Sequence, residues 1–419
     1  MRHAVALYVS SVLGSGILIL PGLTAQLAGP ASLIAWIVLS LASYPFAYTF
    51  ASLSSRNPAS GGIYAFAKES FGLPVAVVTG WEFIFWYVTG APAATLIAAS
   101  YLSFAFPLSR FEIFAIAGGI ILLAFIVNYL GITFSNKIQL AVVVSIVVLL
   151  VTAVVLSAGS MSTESFVPFS PNGLLPIGTA AALIFWSYLG YENVSNVAEE
   201  FENPKRDFQR SILLSVILIS GLYIAVAAVT IGTQAYKAGG SVAPFAAIFA
   251  NVLGSHGAIG TAFLAVVIIF ATANAYTGGM SRVILAVAKD RGLPKWFDYV
   301  DGKTGSPRRS LMLLSGSALF MLMIYYFCNV DLQTALLIPS GAAVLVYIIG
   351  AGIRLLPDRG IKKILPWLSL IMSVVILPFV GILALGSILT GVLAFIYLQM
   401  RNRRAGTADE LITRKSNGF

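Results

Sequence analysis

Residues 14–22 read Gly14-Ser15-Gly16-Ile17-Leu18-Ile19-Leu20-Pro21-Gly22 and lie inside an apolar run extending from about residue 4 to residue 28. Such a run suffices for one bilayer crossing, which needs about 20 mainly apolar residues. Its centre is nevertheless poor helix, because glycine costs about 1 kcal/mol and proline about 3 kcal/mol relative to alanine. Main chain released from a helix at that depth has no water to bond, so it must face protein or a wet cavity. Close helix–helix contact is the competing use of such small residues, and Gly14 and Gly16 alone do not decide between the two.

The rest of the chain carries the same membrane signature. Of 419 residues, 58% are hydrophobic and 10% charged, and the mean hydropathy is +0.92. Soluble domains carry about 25% charge, so most of this chain suits lipid rather than water. Apolar runs at 4–28, 31–53, 74–105, 111–130, 138–157, 175–200, 209–234, 257–287, 309–328, 333–353, 364–380 and 383–400 predict twelve transmembrane helices. They are too long for barrel strands and show no two-residue alternation. The linkers 158–174 and 235–256 are long enough to carry short surface helices, and the polar tail after Gly406 reads as disordered.

Charge sets the orientation. With the N-terminus in the cytoplasm, only Arg110 and Lys237 of the 25 lysines and arginines fall on the outside. That asymmetry is what positive-inside topology requires, and it puts both termini in the cytoplasm. It also explains the net charge of +9 without nucleic acid as a partner. A signal peptide is not expected, because the first run continues past any cleavage signal and eleven more follow. Cys328 is the single cysteine, and His3 and His256 are the only histidines, so no multi-cysteine or histidine metal centre is expected.

A second interruption falls in the sixth run, where Phe185-Trp186-Ser187-Tyr188-Leu189-Gly190-Tyr191-Glu192-Asn193 sets a carboxylate and an amide in an apolar segment. Intramembrane carboxylates are costly and usually face a bundle interior or a water path. Runs one and six open two groups of five, and paired interrupted helices in corresponding places point to a site near the membrane midplane. An amino acid is a zwitterion. A half-helix starting after a break offers free N–H groups to its carboxylate, and one ending before a break offers bare carbonyls to its ammonium.

At these residues the sequence resembles the amino acid–polyamine–organocation superfamily of permeases. GSGILILPG is similar to that family's first-helix signature, and NPASGGIYAFAKESFG (57–72) to its first cytoplasmic loop. VTGWEF (78–83) is similar to the start of its third helix, residues 185–212 to the sixth helix and following loop, and SRVILAVAKDRGLPKWF (281–297) to the end of the eighth. The resemblance implies an all-α integral membrane protein of LeuT-like fold. It has a 5+5 inverted repeat, with residues 1–157 as the first repeat, 175–353 as the second, 364–400 as two further helices and 401–419 as a cytoplasmic tail.

It further implies amino-acid transport by alternating access. Ser15, Gly16 and Ile17 would cradle the substrate carboxylate, while the carbonyls of Val12, Trp186 and Leu189, beside Gly190, would take the ammonium. Trp186 would close over substrate as a gate, Trp86 would line the outer side of the pocket, and Glu192 would serve either as a structural partner or as a proton carrier. Asn274, with Thr272 and Thr277, lies where relatives bind a cation, although hydroxyls there more often bond their own helix. No cofactor is implied, and the coupling ion, proton or sodium, stays open.

The departures narrow this picture. The fifth run, Gln139 to Ile146, lacks the lysine that some proton-coupled relatives carry, and Ala51-Ser52-Leu53 lacks the glutamate common before that leucine. The stretch 185–212 resembles the efflux branch that exports methionine and branched-chain amino acids. The apolar wall of Val12, Ile17, Trp186 and Leu189 favours neutral substrates. A transporter-like amino-acid sensor is the alternative function. No nucleophile–base pair, metal cluster or phosphate loop suggests an enzyme, and the oligomeric state is not legible.

Overall fold

In a computed structural model the described residues are 12–54, 62–132, 136–192, 204–356 and 363–416. They form helices and connecting turns without strands. The helices are α1 (Gly16–Ala28), α2 (Ser32–Ser54), α3 (Gly62–Phe71), α4 (Leu73–Ala105), α5 (Arg110–Tyr129), α6 (Asn136–Ser157) and α7 (Leu175–Ile184). There follow α8 (Pro204–Gly232), α9 (Pro244–Lys289), α10 (Arg308–Phe327), α11 (Leu332–Leu355), α12 (Ile364–Val380) and α13 (Ala384–Ser416). Residues 4–11 of the first expected span, 193–200 of the sixth, and the loop residues 57–61 lie outside the described set.

Nine helical runs among the described residues are long and apolar enough to cross a membrane. Two of them, Gly16–Leu53 and Ile364–Arg403, each cover two of the expected spans, and Leu175–Tyr188 is a shorter apolar helix. The protein is thus an all-helical, multi-pass membrane protein.

Burial sorts the helices into centre and rim. In the most apolar windows of Leu73–Ala105 and Leu332–Leu355, 72% of residues are buried, against 28% for Arg110–Tyr129 and Leu140–Ser160. The rim helices instead show lipid-facing stripes, such as Val144, Val148, Val151 and Val155 on α6 and Leu389, Val392, Leu393 and Ile396 on α13. Their spacing of three and four residues places each set on one helix face. In the centre, Phe46 and Phe50 of α2 meet Tyr347 of α11 edge-on at 5.4 and 4.6 Å between ring centroids, and Phe185 joins at 5.5 Å from Phe46.

Local signals fix several ends. Ser109 and Glu112 form a reciprocal cap that starts α5, and Asp331 accepts from Thr334 N at 2.9 Å to start α11. Prolines in the first turn open α4, α7 and α9, where the missing N–H is no loss. Arg110, expected on the outer side, is tied down rather than free. Its guanidinium bonds Asn329 and the Tyr326 carbonyl and stacks over Tyr326 at 4.9 Å. Lys68 of α3 pairs with Asp290 after α9 at 2.7 Å, and Tyr64 donates to the same carboxylate at 2.9 Å. Burial, then the bond to Asp290, pushes the Tyr64 phenol above its ordinary range.

Two expectations need correction. The linker 235–256 does carry a short helix, from Pro244 to the non-helical Gly254 (φ 63°) where the chain turns into the long part of α9, but Phe245, Ala246 and Ile248 bury it rather than leave it on the surface. The cause is composition, since APFAAIFA is too apolar to lie in water. In the sixth run α7 stops at Ile184 and a single 3-10 turn, Phe185–Tyr188, follows, at the expected interruption; residues 193–200 lie outside the described set. The tail is helical as far as Ser416, since residues 401–416 contain a single glycine and no proline to stop α13.

Tight glycine contacts hold this packing together. A Cβ on Gly22 of α1 would collide with the Ser241 carbonyl oxygen, which belongs to backbone and cannot swing away. Gly22→Ala is expected to destabilise the protein by about 1–3 kcal/mol, seen as a lower melting temperature in detergent. Gly119→Ala, with nothing within 4 Å of the added carbon, should match or exceed the parent.

Candidate functional site

Two non-helical stretches face each other inside the bundle. Main chain at Leu13–Ser15 is irregular before α1 starts at Gly16, and Leu189 (φ −76°, ψ 151°) leaves the 3-10 turn in extended geometry before Gly190 at φ 122°. A β-carbon is disfavoured at that φ, which accounts for glycine at position 190.

Trp186 joins the two stretches. Its indole N–H donates to Ser15 Oγ at 3.4 Å, and a Cβ on Gly16 would sit 2.7 Å from its Cδ1 and 2.7 Å from Ser187 Oγ. The far edge of the ring reaches α4, where a Cβ on Gly90 would lie 2.8 Å from Cη2. Two glycines therefore make the slot that the half-buried indole occupies. Val12, Ser15, Ile17 and Leu189 around it are all buried. The structure thus brings Ser15, Gly16 and Trp186 into one cluster.

Three tyrosines donate at or beside the two interruptions. Tyr223 of α8 places its hydroxyl 3.3 Å from the Val12 carbonyl and 3.1 Å from the Ser187 carbonyl. Tyr347 of α11 donates to Glu192 Oε2 at 2.8 Å and lies 3.4 Å from the Tyr188 carbonyl. Tyr101 of α4 donates to the Leu18 carbonyl in α1. Glu192 also accepts the Gly190 N–H at 2.8 Å, so its carboxylate closes the turn from within. Sequence reasoning missed these tyrosines. Their signal was present, as single tyrosines inside apolar runs, where a phenol needs a polar partner.

Two of the three carbonyls expected to receive an ammonium already have donors. Val12 O faces Tyr223, and Trp186 O accepts the Leu189 N–H at 3.3 Å. Each carbonyl has a second lone pair, so neither is closed to another donor.

The other expected residues sit elsewhere in the network. Trp86 is buried on α4 one turn before Gly90, stacked on Phe83 at 5.7 Å and tilted against Tyr276 at 6.4 Å. Asn274 of α9 accepts from Asn128 of α5 through both its side-chain oxygen (2.9 Å) and its carbonyl (3.1 Å), so among the described residues its bonds run to α5. Thr272 and Thr277 bond their own helix at Ile268 and Ala273. A cleft of about 290 Å³ lies away from the breaks, lined by Ser145, Leu149 and Thr152 of α6 with Phe249 and Leu264 of α9.

Comparison with known proteins adds to this geometry. A family model described as amino acid permease matches residues 1–412. YecA of Bacillus subtilis, described as an uncharacterized amino acid permease, is 31% identical over 97% of this chain and 96% of its own length. YjeH of Escherichia coli, an L-methionine/branched-chain amino acid exporter, is 27% identical over 96% of each chain. BcaP of Bacillus subtilis, a branched-chain amino acid permease, is 26% identical over 71% of this chain and 68% of its own.

Removing the Tyr223 hydroxyl leaves the Val12 and Ser187 carbonyls without that donor. Tyr223→Phe is expected to cost about 1–3 kcal/mol of stability, the penalty for an unsatisfied buried group. Thermal unfolding would read it, and a parent-like melting temperature would show that the hydroxyl holds neither carbonyl.

Proposed function

The chain belongs to the amino acid permease family, and from that membership we propose that it is a secondary transporter of neutral amino acids. In this reading it works by alternating access through twelve helices arranged as two inverted repeats and a terminal pair. The observation that carries the reading is the meeting of Ser15, Gly16 and Trp186 between two stretches of non-helical main chain. Substrate carboxylate would take the N–H groups at the start of α1, where the helix dipole also favours a negative charge. Substrate ammonium would take the second lone pairs of the Val12, Trp186 and Leu189 carbonyls.

The indole of Trp186 then acts as the gate. In the present state it fills the slot between Gly16 and Gly90, and substrate entry requires it to swing out and close again from above. Val12, Ile17 and Leu189 leave an apolar wall that offers no partner to a charged side chain, and desolvating such a charge is costly. The branched-chain and methionine substrates named for YjeH and BcaP fit the same chemistry. The protein sits in the cell membrane with both termini inside.

Purified protein should be stabilised in a thermal-shift screen by neutral apolar amino acids, and the same compounds should show counterflow in proteoliposomes. Stabilisation by arginine or glutamate alone would remove the neutral assignment. Binding without flux would favour the sensor. In this topology the exposed Cys328 follows α10 on the outer face. A membrane-impermeant maleimide should therefore label it in intact cells, and protection until lysis would invert the orientation. Glu192→Gln should change the response of flux to an imposed pH gradient, and an unchanged response would assign Glu192 a structural task alone.

A further inference from the structure

A second carboxyl is buried in the membrane part of the fold, and nothing in the transport reading uses it. Glu82 of α4 is fully buried, and neither of its oxygens has a hydrogen-bond partner among the described residues. It is nine residues into α4, about 14 Å along the axis at about 1.5 Å per residue, within the depth of a hydrocarbon core about 30 Å thick. It also lies about 12 Å along the same helix from Gly90 and the Trp186 slot, by the same rise.

The seam around it is apolar and made by α13. A Cβ on Gly391 would stand 3.2 Å from Glu82 Oε1 and 3.4 Å from Val78. One turn either way, Phe85 lies against Gly386, and Val77 packs with Ala394 and Leu398. Glycine at 391 therefore leaves room for the carboxyl against helix main chain, where any larger residue would press on it.

Charged groups on the elements packed against α4 are engaged elsewhere. On α3 and α9, Lys68 and Tyr64 hold Asp290. On α10, Arg308 pairs with Asp301 at 2.9 Å and Arg309 stacks on Trp296 and Tyr299. On α11, Arg354 bonds Ser52. On α13, Arg401 donates to the Arg291 and Leu293 carbonyls, and Tyr397 stacks against Trp81. On α5, Arg110 is bound to α10, and Glu112 caps its own helix. Arg282 and Lys289 of α9 form no ion pair with Glu82 among the described residues.

The two buried acids thus have opposite surroundings. Glu192 receives donors from Tyr347 and Gly190, as an acceptor does. Glu82 has the Gly391 main chain beside it but no side-chain donor among the described residues, and an ionised carboxylate without such a donor or a counter-charge is what a low-dielectric interior penalises. We propose that Glu82 is a proton-binding site, held as the neutral carboxylic acid in the α4–α13 seam. The proposal goes beyond the transport reading and concerns protonation alone.

Infrared spectroscopy of the purified, full-length protein at neutral pH tests it without any flux measurement. The carbonyl stretch of a protonated carboxylic acid should be present in the parent and should lose one component in Glu82→Gln that Glu192→Gln leaves in place. Because glutamine is a neutral match in shape, Glu82→Gln should fold with the parent's melting temperature. A Glu82→Gln spectrum that keeps the parent's full band would overturn the proposal. So would a Glu82→Gln protein that fails to fold, since a neutral side chain would then not be what the seam accepts. A band that vanishes when sodium chloride replaces choline chloride would give the site to a metal cation and overturn it as well.

Discussion

Everything in this architecture depends on one constraint: main chain that leaves a helix inside a bilayer must be given hydrogen-bond partners by the protein itself. Beside Leu13–Ser15 and Leu189–Glu192, partners for the flanking main chain and for the Glu192 carboxylate come from side chains of distant helices. Tyr223 in α8 reaches the Val12 and Ser187 carbonyls, Tyr347 in α11 the Glu192 carboxylate, and Tyr101 in α4 the Leu18 carbonyl near the start of α1. The irregular stretches are therefore not loosely packed. They are held by the same bundle that buries Phe46, Phe50 and Phe185 around Tyr347.

The sequence made some of this legible and hid the rest for identifiable reasons. Long apolar runs and the placing of lysine and arginine in connectors are one-dimensional signals, so the all-helical membrane class could be read directly. Glycine placed at 190, and at 14 and 16, marks backbone that departs from helix or approaches closely, and the structure has both at those positions. The donors could not be read, because a tyrosine in an apolar run says that a partner exists without saying which. The buried helix at the start of α9 was obscured by length, since seven apolar residues before Asn251 are too few for a span and too many for a loop. Asn274 illustrates the opposite failure: a polar residue in the expected cation region is engaged by Asn128.

Steric economy around Trp186 comes from two glycines on different helices, Gly16 and Gly90. Neither is significant alone, and only the folded chain shows that they border one ring. The resemblance to amino acid permeases named Ser15, Gly16 and Trp186 together, whereas Gly90 became visible through packing. Trp86, a turn away on α4, belongs to the aromatic layer with Phe83 and Tyr276 beneath that ring's edge of the helix.

The Tyr223 hydroxyl has a single hydrogen and stands within reach of two acceptors, the carbonyls of Val12 and Ser187. It can satisfy one fully or both partially, but not both fully. Flipping about the C–O bond would reassign that hydrogen from one stretch to the other without any backbone displacement. The Val12 and Ser187 carbonyls thereby share one hydrogen, and rotation of a single phenol sets which of the two is fully satisfied.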